Sequence, residues 1–166
     1  TFDQRYKGKY RWEFPSGRYI KVGFPEGTDE EPRDAVDTHR RTIPIGRLDR
    51  IVDGNACLVG DAACQANSIT FGGIRSSLVA GRMAGDAINH CNMLDYRSEW
   101  ERSPLSDVTF WDVFSLLRGK TNEELSKMVE PLRYGLNLSA IMGGLMNDDD
   151  FRTFYRGFVR KMENGW

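Results

Sequence analysis

Apolar and polar residues alternate from Arg5 to Phe14. Tyr6, Gly8, Tyr10, Trp12 and Phe14 fall on one side, and Lys7, Lys9, Arg11 and Glu13 on the other. A period of two predicts a strand with one aromatic and one charged face. Pro15-Ser16-Gly17 is a turn signal, and residues 18–24, with Tyr19, Ile20 and Val22, predict the return strand of a β-hairpin. Residues 25–41 read as loop, with a short helix at 32–37 opened by Pro32 in its first turn. Thr42 to Gly46 is a short extended piece broken by Pro44, and Asp53-Gly54 marks a turn. Residues 55–60 (NACLVG) are an apolar run of strand length between two glycines, the pattern of a short buried strand.

From Gly73 the period lengthens to that of a helix, predicted to run to about Cys91. Ile74, Leu78, Gly81, Gly85 and Ile88 form one apolar or small stripe, and Arg75, Arg82, Asp86 and Asn89 line the opposite side. Glycine costs about 1 kcal/mol of helix propensity against alanine. Two on the expected inner stripe therefore imply a backbone packed closely against it. Leu94–Arg102 is amphipathic. Ser106 or Asp107 can cap a helix at 108–117, and Thr121 with Glu124 makes a capping-box start. Pro131 interrupts or restarts the helix that Thr121 opens, and Asp148 to Asp150 place negative charge at the start of a helix over 151–162. The chain is thus α+β: a hairpin and short strands, then a mostly helical C-terminal half. It divides into segments 1–54, 55–92 and 93–166.

Composition narrows the classes. The 166 residues are one domain's worth, or one domain with an appended piece, and nine Phe, six Tyr and four Trp can build a core. The charge is 23 − 24 = −1, with no long basic block, so no nucleic-acid partner is expected. No apolar run reaches the roughly 20 residues of a membrane span. Cys57, Cys64 and Cys91 lack paired spacing, and with only His39 and His90 besides they assemble no zinc set. These cysteines fit a reducing, cytoplasmic setting. His39 and His90 read as surface or helix-end residues, and Cys64 as a small buried thiol. The chain opens on Thr1 in mid-pattern, so a piece of a longer protein is expected.

The chemistry concentrates in Cys57-Leu58-Val59-Gly60-Asp61-Ala62-Ala63 and Phe71-Gly72-Gly73-Ile74. A strand ends in Gly-Asp, a short loop comes next, and a helix opens on glycines. The N–H groups of a first helical turn make a site for partial negative charge. A carboxylate at the strand end can accept hydrogen bonds from polyol hydroxyls. Strand, aspartate, loop and helix together make a cradle for a polyol and an anion.

The string from Leu58 to Ala63, with Gly72-Gly73-Ile74 and then Ala80-Gly81-Arg82-x-Ala84, resembles the second flavin-binding motif of FAD-dependent oxidoreductases of the para-hydroxybenzoate hydroxylase fold. The resemblance implies that Gly60, Asp61 and Ala62 meet the ribityl and pyrophosphate region of FAD, and that Gly72, Gly73 and Ile74 face the flavin ring. Tyr10-Arg11-Trp12-Glu13-Phe14-Pro15 resembles the Y-x-W-x-F-P motif of geranylgeranyl reductases. There it implies that Tyr10, Trp12, Phe14 and Pro15 line a pocket for an isoprenoid chain. That family continues to a G-x-G; here Gly23 is followed by Pro25 in place of the second glycine. Ser68 stands where the family has proline, and Phe71 where it often has glycine. The family's N-terminal G-x-G-x-x-G is not found in residues 1–166.

The resemblance implies the C-terminal part of an FAD-binding α/β oxidoreductase. It would reduce carbon–carbon double bonds of an isoprenoid or other hydrophobic small molecule by hydride transfer. Tyr10 is a weak candidate for the proton donor, and the electron donor, NAD(P)H or ferredoxin, stays open. The chain alone is expected to be inactive, with peripheral membrane contact and self-association through strand edges as further expectations. Two alternatives remain: an FAD-dependent monooxygenase of the same fold, and a non-catalytic helical binding module.

Overall fold

The computed structural model describes residues 2–28, 30, 33–133 and 137–163. These residues form two small antiparallel sheets and six α-helices. The chain divides into two compact units. Among the described residues one is contiguous, Arg40–Trp111, and the other joins the residues up to His39 to Asp112–Glu163.

In the discontinuous unit, β1 (Trp12–Ser16) pairs antiparallel with β2 (Tyr19–Gly23), and Trp12 faces Gly23. Gly17 supplies the positive φ, 61°, that a two-residue hairpin loop demands. Trp12 and Phe14 share a face, with ring centroids 5.1 Å apart. A Cβ on Gly23 would run into the Trp12 ring, so the indole covers the bare backbone of its cross-strand partner. Pro15 sits without conflict because a two-stranded sheet has only edges.

The long strand expected over 5–14 is therefore corrected. Gln4–Tyr6 is a 3-10 turn capped by the Asp3 side chain, and Lys7 comes next at φ 49°. That turn takes Tyr6 off the strand and buries it to 2% exposure. Tyr10 lies outside β1, in an isolated bridge to Phe2. Of the expected helix at 32–37, Pro32 lies outside the described residues, and 33–37 form a turn and a bend with no helix.

The helices of this unit follow their caps. α3 (Thr109–Arg118) starts in the contiguous unit, where Asp107 accepts from the Thr109 N–H at 2.9 Å, and continues into this one from Asp112. Thr121 and Glu124 close a reciprocal capping box on α4 (Asn122–Val129). Pro131 sits in a 3-10 turn over Glu130–Leu132. Then come α5 (Leu138–Asn147) and α6 (Asp149–Glu163), whose first turn is capped by Asp148 through the N–H groups of Asp150 and Phe151. Tyr155 donates its hydroxyl to the Met128 carbonyl at 3.1 Å and stacks on Phe151.

In the contiguous unit, β3 (Val52–Asp53) and β4 (Ala56–Cys57) form a two-rung hairpin about Gly54. The buried strand expected over 55–60 shrinks to these two residues. Leu58 is 42% exposed, and no parallel strand lies beside it among the described residues. α1 (Ile74–Asn89) runs nearly as the periodicity predicts. It ends in a Schellman motif: Asn92 N–H donates to Ala87 O, Cys91 N–H donates to Ile88 O, and Cys91 takes φ 55°.

The buried face of α1 is not the expected stripe. Ser76, Ala80, Ala84 and Ala87 are buried, while Ile74 and Leu78 are 82% and 71% exposed. Nothing comes within 4 Å of a Cβ built on Gly81 or Gly85. α2 (Met93–Arg102) explains the rotation, because its Tyr96 and Trp100 pack into the same core as the three alanines. Small residues on α1 leave room for large rings on α2, as close packing requires.

Candidate functional site

The loop from Gly60 to Gly73 is built on backbone positions that few residues tolerate. Gly60 has φ 67°, and a Cβ there would lie 2.8 Å from Ser77 Oγ in the first turns of α1. Glycine is thus needed twice, for its backbone angle and for the approach to the helix. Gly60–Ala63 forms a 3-10 turn that ends on Cys64 at φ 54°. Asn67 then organises the next turn. Its Oδ1 accepts from the N–H groups of Ile69 and Thr70, and its own N–H donates to Gly72 O.

A buried relay ties this loop to α2. Gly60 N–H donates to Gln65 Oε1 at 2.7 Å, Gln65 Nε2 donates to Tyr96 Oη at 2.8 Å, and the Tyr96 hydroxyl donates to Leu58 O at 2.8 Å. Gln65 is 3% exposed and Tyr96 fully buried. Burial raises the Tyr96 phenol above its ordinary pKa, so it keeps the proton this relay requires. Asn67 is 3% exposed, yet its Nδ2 meets no acceptor among the described residues. A buried donor left unpaired costs about 1–3 kcal/mol.

The structure brings Gly60, Asp61, Ala62, Gly72, Gly73 and Ile74 into one unit. Asp61 leaves the 3-10 turn with its side chain 32% exposed and takes an ion pair from Arg41 Nη2 at 2.5 Å. Its Oδ1 lies against Gly73, where a Cβ would approach to 3.2 Å. Gly73 is the N-cap of α1 and offers no side-chain cap. Gly72 and Gly73 are half-buried rather than sealed, and Ala62 and Ile74 are exposed. A carboxylate beside an accessible helix N-terminus, with glycine keeping the space between them open, fits a ligand that offers hydroxyls and partial negative charge. These residues fit the ribityl and ring region of a flavin.

Tyr10, Trp12, Phe14 and Pro15 lie in the other unit. Tyr10 is half-buried against Phe2, with ring centroids 5.3 Å apart, and burial raises its phenol pKa. Trp12 and Phe14 are 38% and 61% exposed. His39 and Cys91 are exposed, His90 is the C-cap of α1, and Cys64 is half-buried. No group of three or more metal-ligating side chains occurs among the described residues, and no described helix is long and apolar enough to cross a membrane.

Arg41, Gln65, Asn67 and Tyr96 escaped the sequence reading. Arg41 stands 20 residues from Asp61, and Tyr96 31 residues from Gln65. The one signal available was a Gln and an Asn inside a run of small residues, Ala62 to Ser68, where polar side chains are out of keeping.

Comparison with known proteins first gives a class: the relatives with a described activity are reductases, and the chain is similar to enzymes of that kind. More narrowly, it is similar to digeranylgeranylglycerophospholipid reductases. Reductase 2 of Methanopyrus kandleri is 28% identical over 163 residues, covering 76% of this chain and 41% of the relative. Reductase 1 of the same organism is 26% identical over 184 residues, covering 87% and 47%. The reductase of Methanocella arvoryzae is 34% identical over 87 residues, covering 52% and 20%. The likeness to geranylgeranyl reductases thus extends beyond the two short motifs. The chain spans less than half the length of these relatives. No family model matches it, and no solved structure matches it.

Proposed function

We propose that this chain is part of an FAD-dependent reductase that saturates carbon–carbon double bonds of geranylgeranyl chains carried on a glycerophospholipid. The observation that carries the reading is the Asp61 carboxylate held at the uncapped N-terminus of α1 across the bare backbone of Gly73. The names of the relatives supply the substrate class.

The residues of this cradle would hold FAD, which when bound and reduced would supply hydride to one alkene carbon. The chain's own residues do the rest. Asp61 would accept hydrogen bonds from ribityl hydroxyls, and the ion pair with Arg41 holds its carboxylate in place. The first-turn N–H groups of α1 would favour negative charge on a flavin bound at this end of the helix. The second alkene carbon takes a proton, for which Tyr10 is the candidate; its raised pKa keeps that proton on the phenol until transfer. Trp12 and Phe14, tilted against each other on one hairpin face, offer an apolar platform for the chain. A monooxygenase would use the same flavin motif; the reductase names of the relatives and the Tyr-x-Trp-x-Phe-Pro segment favour reduction.

The test is a flavin fluorescence titration of the whole reductase that contains this chain and of its Asp61→Ala variant. Loss of a charge-assisted hydrogen bond weakens binding by about 1.5–3 kcal/mol, or roughly one to two decades. Equal FAD affinity in the two proteins would refute the cradle. Product analysis with a digeranylgeranyl phospholipid then separates saturation from hydroxylation.

A further inference from the structure

Arg41 stands 20 positions before Asp61, and both belong to the contiguous unit. Its Nη2 donates to Asp61 Oδ2 at 2.5 Å. The two carboxylate oxygens therefore meet different neighbours: Oδ1 lies against Gly73, and Oδ2 takes the guanidinium. The Arg41 side chain is 77% exposed, and no second acceptor meets it among the described residues. A guanidinium carries several N–H donors in a rigid fork, so one bond to Asp61 leaves others for a ligand. An exposed pair of this kind adds little to stability. What it does is hold a positive charge beside the carboxylate that ribityl hydroxyls would use.

The order of groups in a flavin decides what comes next to that charge. Ring, ribityl chain and phosphate follow one another in a line. With the ring at Gly72 to Ile74 and the ribityl hydroxyls on Asp61, the phosphate comes beyond the oxygen that does not face Gly73. That oxygen is the one Arg41 holds. Arginine recognises phosphate through charge-assisted and often bidentate hydrogen bonds.

We propose that Arg41 reads the phosphate at the end of the ribityl chain, bridging it to Asp61, and so makes the cradle prefer phosphorylated flavins to riboflavin. The assignment rests on the flavin reading of the Asp61 cradle and adds to it the residue that selects the phosphate.

The apo form of the whole reductase that contains this chain is titrated with riboflavin and with FMN, followed by flavin fluorescence. The two probes share ring and ribityl chain and differ by the phosphate alone. The ratio of their dissociation constants therefore isolates the phosphate from any change at Asp61. The unsubstituted protein binds FMN more tightly than riboflavin, and Arg41→Gln shrinks that preference about tenfold, the worth of one charge-assisted hydrogen bond. Arg41→Lys, which keeps the charge but not the fork, restores part of it. Arg40→Gln removes the neighbouring exposed charge and leaves the ratio unchanged. A ratio that Arg41→Gln does not move overturns the assignment. An equal fall in Arg40→Gln overturns it as well, because a diffuse field would then suffice without contact. Asp61→Ala keeps the two readings apart: it weakens riboflavin as well as FMN if the cradle holds, whatever Arg41 does. Binding of neither flavin by the unsubstituted protein overturns the cradle and the place of Arg41 with it.

Discussion

Replacing Tyr96 with Phe removes one oxygen from a fully buried ring and leaves the packing surface unchanged. Two partners lose a hydrogen bond. Gln65 Nε2 is buried and becomes an unpaired donor, at a cost of about 1–3 kcal/mol. Leu58 O is only partly buried, so water can reach it, and its loss is the net worth of one hydrogen bond, about 0.5–1.5 kcal/mol. Together the change costs about 2–4 kcal/mol. With a urea m-value of about 2 kcal/mol/M, the midpoint falls by about 1–2 M. Urea unfolding followed by tryptophan fluorescence measures it, since Trp100 lies in the same core, one turn along α2. The reasoning has a sharper check in a double-mutant cycle. In a Gln65→Met background no donor remains to be orphaned, so Tyr96→Phe costs only the smaller, Leu58 part. A Tyr96→Phe cost below about 0.5 kcal/mol, or an equal cost in both backgrounds, would refute the relay as a structural unit.

Gly60→Ala is expected to lose about 1–2 kcal/mol to its left-handed backbone alone, with more from crowding against Ser77. Thermal melts should show that adding Ser77→Ala restores only the crowding part; full rescue would mean that the backbone angle is unstrained. Glu124 has its carboxyl pKa lowered to about 2, first by the Thr121 N–H, then by the Thr121 hydroxyl and then by Lys120. Because the folded value is depressed, its stabilisation is complete above about pH 4.5 and is lost as pH falls towards 2. Carbon-detected NMR titration should place the Glu124 midpoint near 2 and show Thr121→Ala raising it; a midpoint at the ordinary carboxylate value would remove the capping box.

Legibility in the sequence followed the range of the interaction. Thr121 with Glu124 and the turn at Gly17 were readable because each is settled within four residues by backbone chemistry. The length of α1 was readable from its period, but not its buried face. Ile74, Leu78 and Ile88 carry more apolar surface than Ala80, Ala84 and Ala87, and a single-helix pattern favours the larger residues. The choice was made by Tyr96 and Trp100, which need small residues opposite them. Tyr6 was misplaced for a local reason: the Asp3 cap and the left-handed Lys7 interrupt an alternation that composition alone sustains. Of the candidate site, Asp61 and the glycines were visible as a motif. The Gln65–Tyr96 relay was not, because nothing in either residue's neighbourhood names a partner 31 positions away.

The reciprocal pair between Gln4 and Asn122 bears on the order in which the chain folds. Gln4 N–H donates to Asn122 Oδ1 at 2.8 Å, and Asn122 N–H donates to Gln4 Oε1 at 2.9 Å, across 118 positions of sequence. Gly8 likewise lies against the Phe114 and Arg118 backbone of α3. Such contacts require a long loop to close, whereas Arg40–Trp111 is contiguous and can form its contacts without waiting for either end. A contiguous unit that folds first shortens the effective loop and lowers the entropy of bringing the two flanks together. On a ribosome, residues 2–28 emerge long before the helices that hold them, so they gain protection after Arg40–Trp111 and not in the order of synthesis. Pulsed hydrogen exchange during refolding reads this directly: amides of α1 and α2 protected ahead of those at 4–9 agree with the connectivity, and the reverse order would contradict it.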